Sequence, residues 1–324
     1  MKQIICAAAL AAAAAQPCLA QPAVSWKLAT GYRAESFHTQ NIMQFADDVA
    51  IATGGQLKIE VHPNNSLFKL GDIRQAVQDR KVEAGETIMT SLVKDIPIAG
   101  ADSVPFVVGS YSDAQRLWQL QRPLVEKHFA ARGLKPLYSV PWPPQGLFSN
   151  KPIRSSADFA GTRMRTYNQT TIRIAELMKA QPVDVAMVEV NKALAEGRMD
   201  NMITSAVTGV ENKVWGPIRH YYEINAWFPK NIVFVNAKAF DALKPGVKQA
   251  VLKAAASAET RGWAKSQAVM MDSTNELRAN GIKVERVSGE FDHEIKRLGE
   301  KFSREWVRSV GNEANNIFIP YYTQ

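Results

Sequence analysis

Apolar and polar positions change period repeatedly along the chain, and each change marks a new element. Residues 26–30 (WKLAT) alternate and stop at Gly31, which predicts a strand. Between 37 and 53, Ile42, Phe45, Ala46, Val49 and Ala50 recur at helical spacing, and Gly54-Gly55 ends the run. Residues 57–62 (LKIEVH) alternate again up to Pro63; 71–80 read as helix and 84–89 as strand. This strand–helix–strand–helix–strand rhythm builds a parallel sheet with crossover helices. The next helix is expected to begin at Ser112, a residue suited to capping, and to carry Leu117, Leu120 and Leu124.

The second half continues the alternation. Residues 134–140 read as a strand, followed by the stiff aromatic phrase PWPPQG (141–146) and a strand over 147–150. A short helical turn and a strand, TRMRT, occupy 155–166; helices follow at 170–178 and 190–196, and strands at 199–204 and 232–236 (IVFVN). After Pro245 one helical pattern runs from 247 to about 280, with Gly262 its only weak point. Soluble helices typically run 8–20 residues, so this one is either a spine across two lobes or two helices with a concealed break. A final amphipathic helix covers 290–308. The fold class is therefore α/β.

Length and composition narrow the reading. The chain has 324 residues, enough for two lobes, and its 46% hydrophobic and 22% charged content is that of a globular protein. Residues 1–20 have the layout of a secretory signal: Lys2, an uncharged apolar run over 4–15, and a small-residue ending at Ala20. That run is too short to cross a bilayer, which takes roughly 20 residues. Cys6 and Cys18 both fall within it, so the mature chain is expected to hold no disulfide, thiolate site or cysteine nucleophile. Ala15, Gln16 and Pro17 before Cys18 do not form a lipid-attachment motif, and a soluble periplasmic protein is expected. The formal net charge is +8, but no run of five Lys or Arg occurs, so nucleic acid is not an expected partner; a positive field favours anionic solutes instead.

Catalytic signatures are missing: there is no GxSxG, no phosphate-binding loop, no GxGxxG and no HExxH. His38, His62, His128, His220 and His293 are scattered without metal-ligand spacing. No metal, cofactor or enzymatic activity is expected. The phrase GTRMRTYN (161–168) suits a carboxylate instead. On a strand Arg163 and Arg165 point to one face, and one of them could serve a pocket at the strand's C-terminal end. A guanidinium meets a carboxylate with two parallel hydrogen bonds. On spacing alone, a pair of solvated edge-strand arginines is the plainer alternative. Trp142 and Phe148 around PWPPQG, and the pair Trp227-Phe228, could line a small-molecule pocket or pack between lobes.

Six phrases in order resemble one family, the DctP-type substrate-binding proteins of tripartite ATP-independent periplasmic (TRAP) transporters. They are the opening strand and helix at 26–30 and 37–45, PNNSLFKLGD (63–72), SVPFVV (103–108), SSADFAGTRMRTYNQ (155–169), VEVNKALAEGRMDN (188–201) and NIVFVNAKAFDALKP (231–245). The resemblance implies a two-lobe periplasmic-binding-protein-like fold with the long helix spanning both lobes. Lobe I would comprise 24–146 plus about 232–272, and lobe II 147–231 plus about 273–324. It implies that Arg165 binds the ligand carboxylate. Neutral Gln145 stands near a position where some sialic-acid-binding members carry a second arginine, which points to a monocarboxylate or a small polar acid. Thr204 replaces a family asparagine, Met187 replaces an aromatic wall, and Asn168 closes the arginine phrase. Trp142, Phe148, Tyr167, Trp227 and Phe228 would form apolar walls. A 2-oxo or 2-hydroxy acid, an aromatic acid or pyroglutamate would suit such a site, and the closed receptor would dock on TRAP membrane subunits. A sensory binding protein addressing a receptor kinase, a periplasmic enzyme and a ligand-free interaction protein are the alternatives.

Overall fold

The computed structural model describes residues 24–287 and 289–323; the expected leader at 1–20 lies outside the described residues. Along the chain the elements are β1 (Val24–Ala29), α1 (Phe37–Ala52), β2 (Leu57–His62), α2 (Ile73–Gln78), β3 (Ala84–Ile88), α3 (Tyr111–Ala130), β4 (Leu134–Pro141) and β5 (Gly146–Ser149). Then come β6 (Arg163–Thr166), α4 (Gln169–Leu177), β7 (Gln181–Asp184), α5 (Val190–Ala195), β8 (Asn201–Thr204), α6 (Ala206–Glu211) and β9 (His220–Tyr222). The last group is β10 (Lys230–Asn236), α7 (Ala237–Asp241), α8 (Pro245–Ala279), β11 (Lys283–Glu285), α9 (Gly289–Val310) and α10 (Asn312–Thr323).

The strands form two mixed sheets, one per lobe. The first has the order β2-β1-β3-β10-β4 and the second β11-β9-β5-β8-β6-β7. β1 pairs in parallel with β2 and β3, as the strand–helix rhythm requires. β10 is antiparallel to β3 and β4 because it returns from the other lobe while β4 departs toward it. For the same reason β5, entering the second sheet, is antiparallel to β9, which leaves it.

These two connections run side by side and bond to each other. The Trp142 N–H donates to the Pro229 carbonyl at 2.8 Å, the Gln145 N–H to the Trp227 carbonyl at 2.9 Å, and the Ala226 N–H to the Gln145 carbonyl at 2.9 Å. PWPPQG is thus half of a two-stranded neck, and its prolines sit where no ladder donor is needed.

α8 is one continuous helix of 35 residues, about 50 Å long at 1.5 Å per residue. It packs on α1 and β4 in the first lobe and on α6 and β11 in the second. Gly262 does not break it. A Cβ there would lie 2.4 Å from Val140 Cγ2, so the glycine lets the helix approach β4 closely. Trp263 next to it donates its indole N–H to the Ser139 carbonyl at 3.0 Å, and Asn41 Nδ2 donates to the Ala258 carbonyl at 2.9 Å.

Several sequence expectations are corrected. The cap of α3 is Ser110, whose Oγ accepts from the Asp113 N–H at 3.1 Å; Ser112 already lies within the helix. β6 is no edge strand, since it lies between β7 and β8. α7, α10 and the short strands β7, β9 and β11 were not legible: strands of three or four residues carry too little periodicity to register, and pairing supplies them. α9 packs on α4, and α10 crosses back to pack on α3.

Candidate functional site

A cleft of about 820 Å³ opens between the two sheets. Its walls come from the C-terminal ends of strands: Tyr32 follows β1, Thr90 follows β3, Tyr167 follows β6 and Thr204 ends β8. Ligands gather at such ends in open α/β sheets, because loops and helix starts converge there. Trp142, Gln145 and Pro229 of the neck form the floor.

Arg165 projects into this cleft and is only 3% exposed. Its Nε donates to the Val185 carbonyl at 3.0 Å, and its guanidinium carbon stacks 4.6 Å from the centre of the Tyr167 ring. These contacts fix the plane of the fork. Among the described residues neither terminal nitrogen has a hydrogen bond, and no carboxylate lies within ion-pair distance. Desolvation pulls the Arg165 pKa down to about 10, with Tyr167, Tyr32 and Asp184 pulling in the opposite direction. The group stays protonated at neutral pH. A buried cation with no counter-charge is costly to hold, and an anionic ligand supplies the missing partner. Arg163, two residues earlier, is half-exposed and already bound to Asp200, Nη2 to Oδ1 at 2.8 Å and Nε to Oδ2 at 3.0 Å.

The wall facing Arg165 is held by a buried polar cluster that sequence reasoning missed. Asn231 Nδ2 donates to Glu86 Oε1 at 2.9 Å, and the Thr30 hydroxyl donates to Glu86 Oε2 at 2.5 Å. Asn231 Oδ1 accepts from Trp142 Nε1 at 2.9 Å and from the Tyr32 hydroxyl at 3.3 Å. His38 Nδ1 lies 3.4 Å from Glu86 Oε1, and its ring packs 4.3 Å from that of Trp142. Burial drives the Glu86 pKa up to about 7 and holds that of His38 well down. The available signal was a polar residue inside an otherwise apolar strand, Glu86 in AGETI and Asn231 in KNIVFVN. Tyr32, directly after a strand-ending glycine, was also readable as a strand-end residue.

Asn168 and Arg33 bond from one lobe to the other across the cleft. Asn168 caps α4 by accepting from the Thr171 N–H at 2.9 Å, and its Nδ2 donates to Thr90 Oγ1 at 2.6 Å on the other lobe. Arg33, after β1, reaches the second lobe with three bonds: to the Glu211 carbonyl at 3.0 Å, the Val188 carbonyl at 2.7 Å and Asn212 Oδ1 at 3.2 Å.

Of the residues singled out from sequence, Trp142, Gln145, Arg165, Tyr167, Asn168, Met187 and Thr204 line the cleft together. The Gln145 side chain is turned back, Nε2 donating to the Pro143 carbonyl at 2.9 Å. Met187 and Tyr167 pack against the cluster that holds Tyr32 and Trp142. Phe148, Trp227 and Phe228 do not line it. Phe148 packs 4.5 Å from Tyr221 in the second lobe, Trp227 lies in an apolar cluster with Phe302, and Phe228 packs 5.1 Å from Tyr111. Each of the three is held by apolar packing inside a lobe rather than by the cleft wall.

Residues 28–308 match the family described as bacterial extracellular solute-binding protein, family 7 (DctP). The chain belongs to the DctP family. The fold of this DctP-family receptor superposes on DctP6 of Bordetella pertussis, an extracytoplasmic solute receptor binding pyroglutamic acid, with a TM-score of 0.91 at 38% identity over 93% of this chain and 100% of that one. A TRAP solute-binding protein from a marine metagenome, specific for pyroglutamate, superposes with the same TM-score of 0.91 at 36% identity over 93% and 99%. A solute-binding protein of Roseobacter denitrificans is 26% identical over 268 residues, 79% of this chain and 78% of that protein. Among the described residues of the DctP-family receptor, no helix is long and apolar enough to cross a membrane.

Proposed function

We propose that this receptor captures a small cyclic monocarboxylate of the pyroglutamate type in the cleft and delivers it to TRAP membrane subunits, without transforming it. One observation carries the reading: Arg165 is a buried guanidinium, fixed in plane by Val185 and Tyr167, with both terminal nitrogens free of hydrogen bonds among the described residues. A planar fork so held meets a single carboxylate with two parallel bonds. The pyroglutamate-binding relatives at 36–38% identity support the ring acid over longer sugar acids. Gln145, with its amide turned away, offers no second cation, which suits one carboxylate rather than two. Export by the 1–20 leader would place the receptor in the periplasm. Arg33 and Asn168 would hold the lobes shut once the ligand is seated, because a ligand touching both walls favours the closed state.

The test is isothermal titration of the ligand-stripped mature protein with pyroglutamate, proline, lactate, benzoate and glucuronate, followed by mass spectrometry of the recovered acid. Tight binding of pyroglutamate with the acid recovered unchanged supports the proposal. Preference for a sugar acid, or chemical conversion of the bound acid, overturns it.

A further inference from the structure

The hydrogen-bond polarity of the wall opposite Arg165 can be read without placing a single hydrogen by assumption. The indole N–H of Trp142 can only donate. The atom of Asn231 facing it at 2.9 Å must therefore be the amide oxygen, and the amide nitrogen faces Glu86 Oε1, an acceptor, at 2.9 Å. Glu86 holds that orientation from a fully buried position, with its second oxygen taken by the Thr30 hydroxyl. The Tyr32 hydroxyl touches the same amide oxygen at 3.3 Å, so it too must donate there. Its one proton is thereby committed, and only its oxygen lone pairs remain for the cleft, which Tyr32 lines.

We infer that Tyr32 is a specificity-determining acceptor, fixed in that role by Asn231, and that the site selects acids carrying an N–H or O–H donor opposite the carboxylate. This rests on the reading of Arg165 as the carboxylate's partner. The two recognitions lie on opposite lobes: Arg165 belongs to β6 of the second sheet, while Tyr32 and Asn231 belong to the first. Both side chains line the one cleft, so a small ring held between the lobes can meet both. An acid whose ring atom at that place is an acceptor sets oxygen against oxygen in a desolvated wall, and a site built for a donor rejects such an analogue strongly.

Pyroglutamate and its lactone isostere, 5-oxotetrahydrofuran-2-carboxylate, differ in the ring N–H alone and make the test. Titration calorimetry on the wild-type receptor is expected to show the lactone binding at least tenfold more weakly. In Tyr32→Phe that gap should close to within about threefold, because a phenyl edge neither accepts nor repels. Asn231→Leu, which frees the hydroxyl to donate, should narrow the gap as well while pyroglutamate itself weakens. A merely structural role for either residue would lower both affinities and leave their ratio alone. Equal binding of lactam and lactone by the wild type, both lost in Arg165→Ala, overturns the Tyr32 assignment while the carboxylate site stands. So does a gap that survives in Tyr32→Phe. Failure of the wild type to bind either acid overturns this inference together with the proposed function.

Discussion

The Arg165 guanidinium carbon lies over the ring of Tyr167, two residues on, 4.6 Å from its centre. The strand turns after Thr166 into the start of α4, and this brings the aromatic ring beneath its own chain's arginine. The ring contact and the Nε bond to the Val185 carbonyl together restrict how the fork can turn.

Removing this group should abolish the charge match. Arg165→Ala is expected to weaken acid binding by about 3–5 kcal/mol, on the order of a hundred- to several-thousand-fold, because the ligand carboxylate is left buried without a partner. Arg165→Lys should recover only part of the loss, since an ammonium cannot make the paired bonds. Calorimetric titration measures both; wild-type affinity in Arg165→Ala would remove Arg165 from the site.

Arg33 touches the second lobe and not the carboxylate wall, so its effect should be on closure. Arg33→Ala is expected to cost about 1–2 kcal/mol of binding free energy, roughly 5- to 30-fold in Kd, by raising the population of open receptor. Small-angle scattering at a sub-saturating ligand concentration should give a larger radius of gyration for the variant than for the wild type. Unchanged affinity and scattering would make the three Arg33 bonds incidental to closure.

Gly262 should tolerate no side chain. Gly262→Val places its branched Cβ against Val140 and Asn41, whose nearest atoms stand 2.4 and 2.9 Å from an added Cβ. Overpacking of this kind costs about 1–3 kcal/mol. A lowered Tm, with weaker ligand binding because α8 spans both lobes, is the expected outcome of calorimetry; an unchanged Tm would mean that helix and strand can separate freely.

Burial raises the carboxyl pKa of Glu86 to about 7, as it does that of Glu211. The folded protein then holds protons that the unfolded chain releases above about pH 4.5, so stability must fall as pH rises from there through 7. The buried Glu86 accounts for up to about 3 kcal/mol of that fall. Guanidinium unfolding at pH 5 and pH 7.5 should therefore show a smaller difference in Glu86→Gln than in the wild type. An identical difference would mean that Glu86 titrates at the same pH folded and unfolded.

The sequence by itself determined the α/β alternation, the long helical pattern over 247 to about 280 and the presence of an arginine suited to a carboxylate; that α8 is unbroken came from the fold. These are local facts: periodicity, and a strand end followed by Tyr167 and Asn168. Spacing could not tell Arg163 from Arg165, since both occupy one face of β6, and only the family resemblance singled out Arg165; folding set Asp200 beside the first and left the second buried without a counter-charge. Nor could it sort the aromatics. Trp142 reaches the cleft while Phe148, Trp227 and Phe228 pack inside the lobes, because partners distant along the chain, Tyr221, Phe302 and Tyr111 among them, decide what each ring meets. The Glu86–Asn231–Tyr32 cluster lay furthest from view. Its members come from β3, β10 and the loop after β1, 145 and 199 positions apart along the chain at its two longest links. Their polarity acquires meaning only where the sheet sets one donor-only indole against one amide.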